Sequence, residues 1–337
     1  MIISKTRRAA LLALVERFPR QRIIMLGDLV ADESVYGEIA RVSREAPVLI
    51  LRERERQVVP GGGGNAANNL ASLGARVTPV GVVGNDESGD ALIHCFRERQ
   101  ISTRHIVRVR GYLTPTKTRI LGGLSHWQRQ QIVRVDREPA QPPPAEVRHG
   151  LTQAAAALLG DSTGMLIADY GYNATSAEEV GALRQEVRGG AIPITVDSRY
   201  DLPTYRNVTA ATPNEPELEA AFSQSIGNDL DRLYTLGRRF LHRQGFQALL
   251  VTRGRDGMAL FEPRRPPCNL PIFGSDQAVD VTGAGDTVIA AFTLALAARA
   301  SFLEAALIAN CAGGIVVMKR GTATVSRIEI TEAIRNA

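Results

Sequence analysis

Short apolar runs recur along this chain of 337 residues, and stretches with helical periodicity separate them. The first run covers residues 22–28, and later ones cover 77–83, 164–168, 192–196, 248–251 and 258–261. The helical stretches cover residues 65–73, 90–99, 145–159, 176–187, 215–222 and 229–244. Strands that are apolar throughout are typical of parallel sheets with helices packed on both faces. The sequence therefore predicts an α/β fold with a mostly parallel sheet and a ligand site at the carboxyl ends of its strands.

Two segments interrupt this alternation. Residues 35–41 and 48–52 are β-like with no helix between them, and so are residues 116–121 and 130–136. We expect them to form a small second sheet, inserted at about 35–58 and 111–136 into one domain that spans residues 1–337. An uncovered apolar sheet face has to be buried, so the sequence predicts a lid over the site that also pairs two subunits as a homodimer.

The composition argues against several classes of protein. The formal charge is +5, but the basic residues are spread along the chain, which makes a nucleic-acid partner unexpected. The apolar runs are too short to cross a bilayer, so no membrane partner is expected. The three cysteines, Cys95, Cys268 and Cys311, form no CxxC pair, which indicates a reducing, cytoplasmic compartment. The five histidines show no metal-binding spacing.

A glycine-rich turn precedes the long, mostly apolar run at residues 288–298, which is typical of a buried helix. The backbone N–H groups of Gly283, Ala284 and Gly285 lie where such a helix begins, and a helix N-terminus binds anions. An acid at this position, Asp286, would repel a bound phosphate, but it suits a general base that takes a proton beside an anion hole. The alternative is that Asp286 only caps the helix.

A second set of polar residues follows the first predicted strand. Asp28 and Asp32 lie at and just beyond its end, where a carboxylate can bind sugar hydroxyls, or where it can serve as a loop or cap residue. Four glycines at 61–64, Gly62 among them, lead into a helix that opens near Asn65. They favour a cradle for a hydroxyl-rich ligand. Tight helix–sheet packing and a weak dinucleotide fingerprint remain alternatives.

Two further turns come before the glycine-rich helix. Asn214 and Glu217 share the first turn of a predicted helix, where they could hold Mg²⁺ through water or form a capping box. Thr252, Gly254 and Gly257 belong to a polar turn after another strand, which could contact a nucleotide phosphate or simply join two strands of a hairpin. The chain has no Walker A sequence.

In this order, over residues 20–330, these motifs resemble those of the ribokinase-like (PfkB) carbohydrate kinases. The resemblance implies a three-layer ribokinase-like domain with a β-lid, and an ATP-dependent sugar kinase that uses Mg²⁺, with a monovalent cation as a further candidate cofactor. It assigns roles to several residues: Asp286 as the base, Gly283, Ala284 and Gly285 as the anion hole, Asp32 and Asn65 in sugar binding, and Asn214 and Glu217 in placing Mg²⁺ and phosphate.

Within the family, the chain is most similar to the heptose 7-phosphate kinases. The stretches that carry the similarity are residues 36–48, 130–136, 279–287 and 321–326. The chain departs from those enzymes at two places. They usually carry Lys and Gly soon after the Asp-Tyr pair, where this chain has Gly171-Tyr172-Asn173 after Asp169-Tyr170. They also tend to carry Pro and Lys where this chain has Ser198 and Arg199 after Asp197. Asp169 therefore lies near the expected sugar-phosphate site. No second, cytidylyltransferase-like domain is expected, because the chain ends too soon.

The acceptor is expected to carry a phosphate already. Lys117 and Arg119 are two residues apart on a predicted lid strand, so their side chains share a face, and Arg134 belongs to the partner strand. Three cations can hold a dianion, although a solvated edge-strand Lys117 is an alternative. A nucleoside or small-alcohol kinase on the same fold is the second functional hypothesis. A dinucleotide-binding oxidoreductase or a non-catalytic sugar sensor is the third.

Overall fold

The computed structural model describes residues 4–123, 130–187, 192–275 and 277–337. The predicted lid segment 111–136 includes residues 124–129, which lie outside this part of the chain. The strands are β1 (Arg22–Gly27), β2 (Leu29–Val42), β3 (Leu49–Gly62), β4 (Arg76–Gly84), β5 (His105–Val109), β6 (Thr116–Gly123), β7 (Gln130–Arg137), β8 (Gly164–Asp169), β9 (Ile194–Ser198), β10 (Ala210–Ala211), β11 (Ala248–Thr252), β12 (Met258–Phe261) and β13 (Cys268–Leu270). The helices are α1 (Lys5–Val15), α2 (Gly63–Ser72), α3 (Glu87–Glu98), α4 (Ala145–Leu158), α5 (Ala177–Glu186), α6 (Glu215–Phe222), α7 (Leu230–Gln244), α8 (Ala284–Ala297), α9 (Phe302–Val316) and α10 (Arg327–Asn336).

The main sheet has the order β13-β12-β11-β10-β9-β8-β1-β4-β5 in the described part of the chain. The strands from β11 to β5 are parallel, while the pairings of β11 with β12 and of β12 with β13, at one edge, are antiparallel. The chain moves from β1 to β4 on one side and later returns to place β8 on the other. The order therefore reverses at β1, and such switch points open a crevice at the carboxyl ends of the strands.

Helices cover both faces of this sheet and divide the core into two layers. Ile23 and Met25 of β1 face a layer that contains α1, α2, α3, α8, α9 and α10. Ile24 and Leu26 face the opposite layer, which contains α4, α5, α6 and α7. Because successive strand residues point to opposite faces, one apolar run supplies both layers. The predicted α/β fold is confirmed.

Helix α8 lies inside the first layer, and its residues from Asp286 to Ala297 are buried. A helix that is apolar on all sides needs cover on all sides. Helix α9, α2 and strands of the main sheet provide it. Deep burial fixes the N-terminus of α8 at the carboxyl edge of the sheet, where the switch-point crevice opens.

The lid is a second sheet with the order β3-β2-β6-β7. Strands β2 and β3 are antiparallel, and together they extend beyond the predicted insertion at 35–58 at both ends. Strand β2 begins two residues after β1 ends, and β3 runs directly into α2, so both lid strands reach the edge of the main domain. Among the described residues, no helix is both long enough and apolar enough to cross a bilayer.

Candidate active site

A cavity of about 270 Å³ opens where the N-terminus of α8 meets the lid, and we call it the catalytic cavity. Four acids and three cations line it: Asp32, Asp197, Glu217, Asp286, Lys117, Arg119 and Arg199. These side chains come from both sheets, from α6 and from α8. The cavity therefore presents both negative and positive side chains to an ionic substrate, and one of its acids, Asp286, lies at the N-terminus of a helix.

Asp286 occupies the first turn of α8 and is 5% exposed. Its Oδ2 accepts a hydrogen bond from Asn65 Nδ2 at 2.7 Å, and its Oδ1 accepts one from the Tyr170 hydroxyl. Burial raises the pKa of Asp286 to about 6, against the lowering effect of these two hydrogen bonds. The helix cap is Gly283, without a side-chain cap bond, so the capping alternative is wrong. At neutral pH, Asp286 is an ionised acid with the affinity for a proton that a general base needs.

The three residues before Asp286, which were predicted to form the anion hole, differ in their surroundings. Gly283 has φ +74°, and a Cβ there would lie 2.5 Å from Asn65 Nδ2, so only glycine fits. The Ala284 N–H donates to Val281 O at 3.2 Å, so its predicted place in the anion hole is wrong. Gly285 lines the catalytic cavity and has open space where its Cβ would be. The Thr287 N–H donates to Gly283 O at 3.2 Å, so of the predicted anion-hole residues Gly285 is the one that lines the catalytic cavity with its N–H not engaged in that turn.

Asn65 supports Asp286 instead of facing a ligand. It is 1% exposed, and its Oδ1 accepts a hydrogen bond from Asn69 Nδ2 at 3.1 Å. The prediction that it binds the sugar is therefore corrected to a positioning role. The glycines before it allow close packing: a Cβ at Gly61 would lie 2.7 Å from Asp32 Cγ, while Gly62 lines the catalytic cavity. Since these glycines follow a lid strand and not a parallel strand, the dinucleotide-fingerprint alternative is wrong.

The prediction that Asp28 binds sugar hydroxyls is corrected in the same way. Its Oδ2 accepts hydrogen bonds from the N–H groups of Tyr170 and Tyr172, and its Oδ1 accepts one from Ala174. Burial raises the pKa of Asp28 to about 6, although these three backbone bonds lower it. The carboxylate lies outside the residues that line the catalytic cavity, and it anchors the loop that follows β8.

The carboxylate of Asp169, at the end of β8, is also hydrogen-bonded to other residues of the protein. Its Oδ2 accepts hydrogen bonds from the hydroxyls of Ser198 and Tyr205, at 2.8 and 2.9 Å. Its Oδ1 accepts one from the Gly171 N–H at 3.1 Å. The expectation that Asp169 binds substrate directly is therefore wrong. With Asp28 it fixes the loop that carries Tyr170.

Asp32 does line the catalytic cavity, on the lid side. Its Oδ1 accepts a hydrogen bond from Arg119 at 2.8 Å, and its Oδ2 accepts one from the Thr322 hydroxyl at 2.9 Å. Lys117 is paired with Asp32 in the register of β2 and β6, and burial lowers the pKa of its ammonium group. Arg134 pairs with Arg119 in the register of β6 and β7, as predicted, but it bonds to Asp136 and does not line the catalytic cavity.

Asn214 and Glu217 form a capping box at the start of α6. Asn214 N–H donates to Glu217 Oε2 at 2.9 Å, and Glu217 N–H donates to Asn214 Oδ1 at 2.8 Å. Both residues also line the catalytic cavity. Burial raises the pKa of Glu217, and burial together with the nearby Glu217 charge raises that of Asp197. The capping alternative is confirmed, and it leaves acidic oxygens facing the cavity.

A second cavity, of about 370 Å³, lies on the other side of the start of α8, and we call it the apolar cavity. Thr252, Gly254, Gly257, Ala284 and Gly285 line it together with apolar side chains. Thr252 and Gly285 line the catalytic cavity as well. The two cavities therefore meet beside Asp286.

A third cavity, of about 850 Å³, lies between the inner face of the lid and the loops at 279–282 and 320–322. We call it the lid cavity. Arg119 lines both the lid cavity and the catalytic cavity, and Arg320 and Thr322 line the lid cavity from the main domain. The lid cavity thus continues the catalytic cavity away from Asp286, with a second arginine in its wall.

Sequence analysis did not select Tyr170, Asp197, Arg199 or Arg320 as site residues. Asp197 lies near the end of β9 and Arg199 directly after it, at the carboxyl edge of the sheet, so the strand-end rule that pointed to Asp28 could have found them. Tyr170 lies directly after β8 and could have been found in the same way. No pattern in the sequence connects Arg320 with the lid.

Comparisons with known proteins give the chain its family. The family model described as "pfkB family carbohydrate kinase" matches residues 26–329. The chain is 36% identical over 328 residues to the bifunctional protein HldE of Pelobacter propionicus, covering 97% of this chain and 66% of that protein. It is 37% identical over 312 residues to HldE of Geobacter metallireducens, with 91% and 61% covered. The chain spans less than two thirds of the length of these relatives.

Solved structures agree on the fold. Ribokinase of Arabidopsis thaliana, complexed with ribose and ATP, is 19% identical with a TM-score of 0.71, covering 94% of this chain and 99% of that one. Phosphofructokinase-2 of Escherichia coli, in complex with substrates and products, is 18% identical with a TM-score of 0.74, covering 94% and 98%. The chain belongs to the pfkB family of carbohydrate kinases.

Proposed function

We propose that this kinase transfers the γ-phosphate of ATP to the anomeric hydroxyl of heptose 7-phosphate. The observation that carries the proposal is the position of Gly285 and Asp286, where the apolar and catalytic cavities meet at the start of a buried helix. A nucleotide on one side and an acceptor on the other would bring the γ-phosphate and the hydroxyl together beside the acid. The similarity of residues 36–48 and 130–136 to heptose 7-phosphate kinases supports this acceptor.

Asp286 is the general base in this proposal. The acceptor oxygen forms a bond to the γ-phosphorus while its proton passes to Asp286. The bond from that phosphorus to the bridging oxygen breaks, and ADP leaves with the electron pair. Gly285 N–H and the cations Lys117 and Arg199 lie where they can stabilise the negative charge on the transferred group.

The apolar cavity is the proposed site for the nucleotide base. Its wall is mostly apolar, and flat aromatic bases bind in such clefts with a few polar groups to orient them. Gly254 and Gly257 belong to this wall, and Thr252 lies between it and the catalytic cavity. This arrangement directs the phosphates of ATP toward Gly285.

Asn214 and Glu217 are the proposed holders of Mg²⁺, through water. Phosphate-bound Mg²⁺ keeps several waters and uses one or two carboxylates, and these two residues present oxygen ligands to the cavity. Burial, and after it the charge of Glu217, raises the pKa of Asp197, so a bound cation would relieve the repulsion between the two carboxylates. Among the described residues, no group of three or more His, Cys, Asp or Glu side chains could hold a metal ion by itself. When bound, Mg²⁺ neutralises charge on the phosphates of ATP.

The phosphate of the acceptor is assigned to the lid cavity. Arg119 and Arg320 line that cavity, and a phosphate there would leave the other end of the sugar next to Asp286. Arginine binds phosphate through paired, charge-assisted hydrogen bonds. Arg320 thus joins Arg119 as a cation of the lid cavity, whose lining does not include Arg134.

The proposed phosphate site predicts that Arg320→Ala weakens binding of the phosphorylated acceptor. Loss of a hydrogen bond to a charged group should raise KM for heptose 7-phosphate by about tenfold or more, with a much smaller change for the unphosphorylated heptose. The matched control is Arg54→Ala, which removes an exposed lid arginine paired with Glu38 and should leave both constants near wild type. Steady-state kinetics, with the product identified by NMR, measures both variants.

A panel of sugars, sugar phosphates and nucleosides extends that measurement. Higher kcat/KM for an unphosphorylated sugar or a nucleoside than for heptose 7-phosphate would contradict the proposed acceptor. An equal rise in KM for phosphorylated and free heptose would contradict the role of Arg320.

The prediction for Mg²⁺ separates metal binding from helix capping. Glutamine also completes a capping box, so Glu217→Gln should keep the thermal stability and lose only the charge. We expect the Mg²⁺ concentration for half-maximal rate to rise about tenfold. Activity measured against Mg²⁺ concentration, beside the melting temperature, is the readout. An unchanged Mg²⁺ requirement with a lower melting temperature would assign Glu217 to the cap alone.

The lid is proposed to pair two subunits in a homodimer. Val133 and Val135 share the face of β7 opposite to Arg134, and they are 45% and 53% exposed. An apolar face of this kind is most simply covered by the same face of a second copy. Light scattering at micromolar protein should give a dimer, and Val133→Glu with Val135→Glu should give a monomer. The control Ile328→Glu, at an exposed position of α10, should stay dimeric. A monomeric wild type would contradict the proposal.

A further inference from the structure

Both carboxylate oxygens of Asp286 accept hydrogen bonds from side chains. The two donors are held very differently. Asn65 belongs to α2, and Asn69, one helical turn further on, donates to its Oδ1. Asn65 also donates to Gly283 O at 3.4 Å, so it is tied to the start of α8 at two points. This donor is a fixed part of the core.

Tyr170, the other donor, stands in the wall of the catalytic cavity. It belongs to the loop after β8, and its N–H is anchored by Asp28 Oδ2 at 2.8 Å. Its ring packs near Gly62, and Lys117 Nζ lies 5.6 Å from the ring centroid. The loop anchors the backbone of Tyr170, while the phenol itself ends at Asp286 Oδ1.

A general base has to touch the hydroxyl that it deprotonates, at about 2.6–3.2 Å between heavy atoms. Asp286 is 5% exposed, so its carboxylate offers little free surface to a ligand. On Oδ2 the approach is closed by Asn65, which is buried in the core. The approach to Oδ1 is occupied by the Tyr170 hydroxyl, which belongs to the wall of the catalytic cavity. An acceptor hydroxyl can therefore reach the base where the Tyr170 hydroxyl now lies.

We propose that the Tyr170 hydroxyl holds the place of the acceptor hydroxyl on Asp286 Oδ1 and leaves it when the acceptor binds. This inference rests on the proposed role of Asp286 as the base. Tyr170 is then a positioning residue: it keeps the buried carboxylate hydrogen-bonded and oriented until a substrate hydroxyl replaces its own.

The exchange has a consequence for the charge on Asp286. A hydrogen bond to the ionised carboxylate favours that form, so Tyr170 lowers the pKa of Asp286, as Asn65 does. Other groups act on the same carboxylate or on Tyr170 from neighbouring elements: Asp32 on β2, Lys117 on β6, Asp197 on β9 and Arg199 directly after it. These groups stay in place when only the Tyr170 hydroxyl is removed.

The test uses Tyr170→Phe, which keeps the ring and removes the hydroxyl. The acid limb of kcat/KM reports groups in the free enzyme, and that of kcat reports the enzyme with substrates bound. We expect the limb of kcat/KM to move up by about 1–2 pH units and the limb of kcat to stay in place. The control is Tyr172→Phe in the same loop, whose hydroxyl bonds to the exposed Glu138, and neither limb should move.

A second readout needs no turnover. In protein labelled with ¹³C at aspartate carboxyls, the resonance missing from Asp286→Asn identifies Asp286. Its pKa should be higher in Tyr170→Phe than in wild type without acceptor. With heptose 7-phosphate bound, the two proteins should give the same value. An equal difference with and without the acceptor would mean that Tyr170 never leaves, and no difference in the free protein would mean that it does not act on Asp286. Either result overturns the inference.

These outcomes differ from a failure of the proposed function. If Asp286 is not the base, Asp286→Asn keeps its turnover, whatever Tyr170→Phe does. If heptose 7-phosphate is not the acceptor, the titration and the kinetic comparison are made with the sugar that gives the highest kcat/KM.

Discussion

The hydrogen bond from Asn65 to Asp286 joins the two helices on which the site depends. Helix α2 starts where lid strand β3 ends, and α8 starts where the catalytic and apolar cavities meet. One bond of 2.7 Å therefore connects the lid, the acid and the proposed nucleotide side. Gly283 makes this approach possible, since any side chain there would collide with the Asn65 amide. Because both partners are buried, breaking the bond would leave a buried polar group unpaired, which costs about 1–3 kcal/mol.

Burial and hydrogen bonding act in opposite directions on Asp286. Desolvation raises its pKa, while Tyr170 and Asn65 lower it, and the result is a value of about 6. An acid with this pKa is mostly ionised at neutral pH, yet it holds a proton more tightly than an exposed carboxylate. The same loop that carries Tyr170 is tied down by Asp28 and Asp169, so two acids that do not face the cavity still fix the geometry of the one that does.

Most of the main sheet could be predicted because its central parallel strands, such as β1, β8 and β11, are mostly apolar runs. The lid strands were harder: β2 and β3 contain polar stretches at residues 32–34 and 52–57, which the predicted segments mostly leave out, and the short strands β5 and β13 of the main sheet were not predicted. Asp286 was found from its local glycine turn. Its partner Asn65 is 221 positions away in the chain, so its role is visible only in the fold. The prediction for Asp28 failed for the opposite reason. An acid at a strand end suggests a substrate-binding residue, but in the fold its carboxylate accepts hydrogen bonds from three N–H groups of the loop after β8.

The central claim is that Asp286 is the base, and the pH dependence of kcat/KM tests it most directly. A base must be ionised, and the pKa of Asp286 is about 6, so activity is lost as pH falls through that value. For the wild type, kcat/KM should fall about tenfold per pH unit below 6 and level off above it. Asp286→Asn should lower the plateau by about 10²–10⁴-fold and lack this limb. A flat profile from pH 5 to 8, or an Asn variant within a few-fold of wild type, would contradict the account.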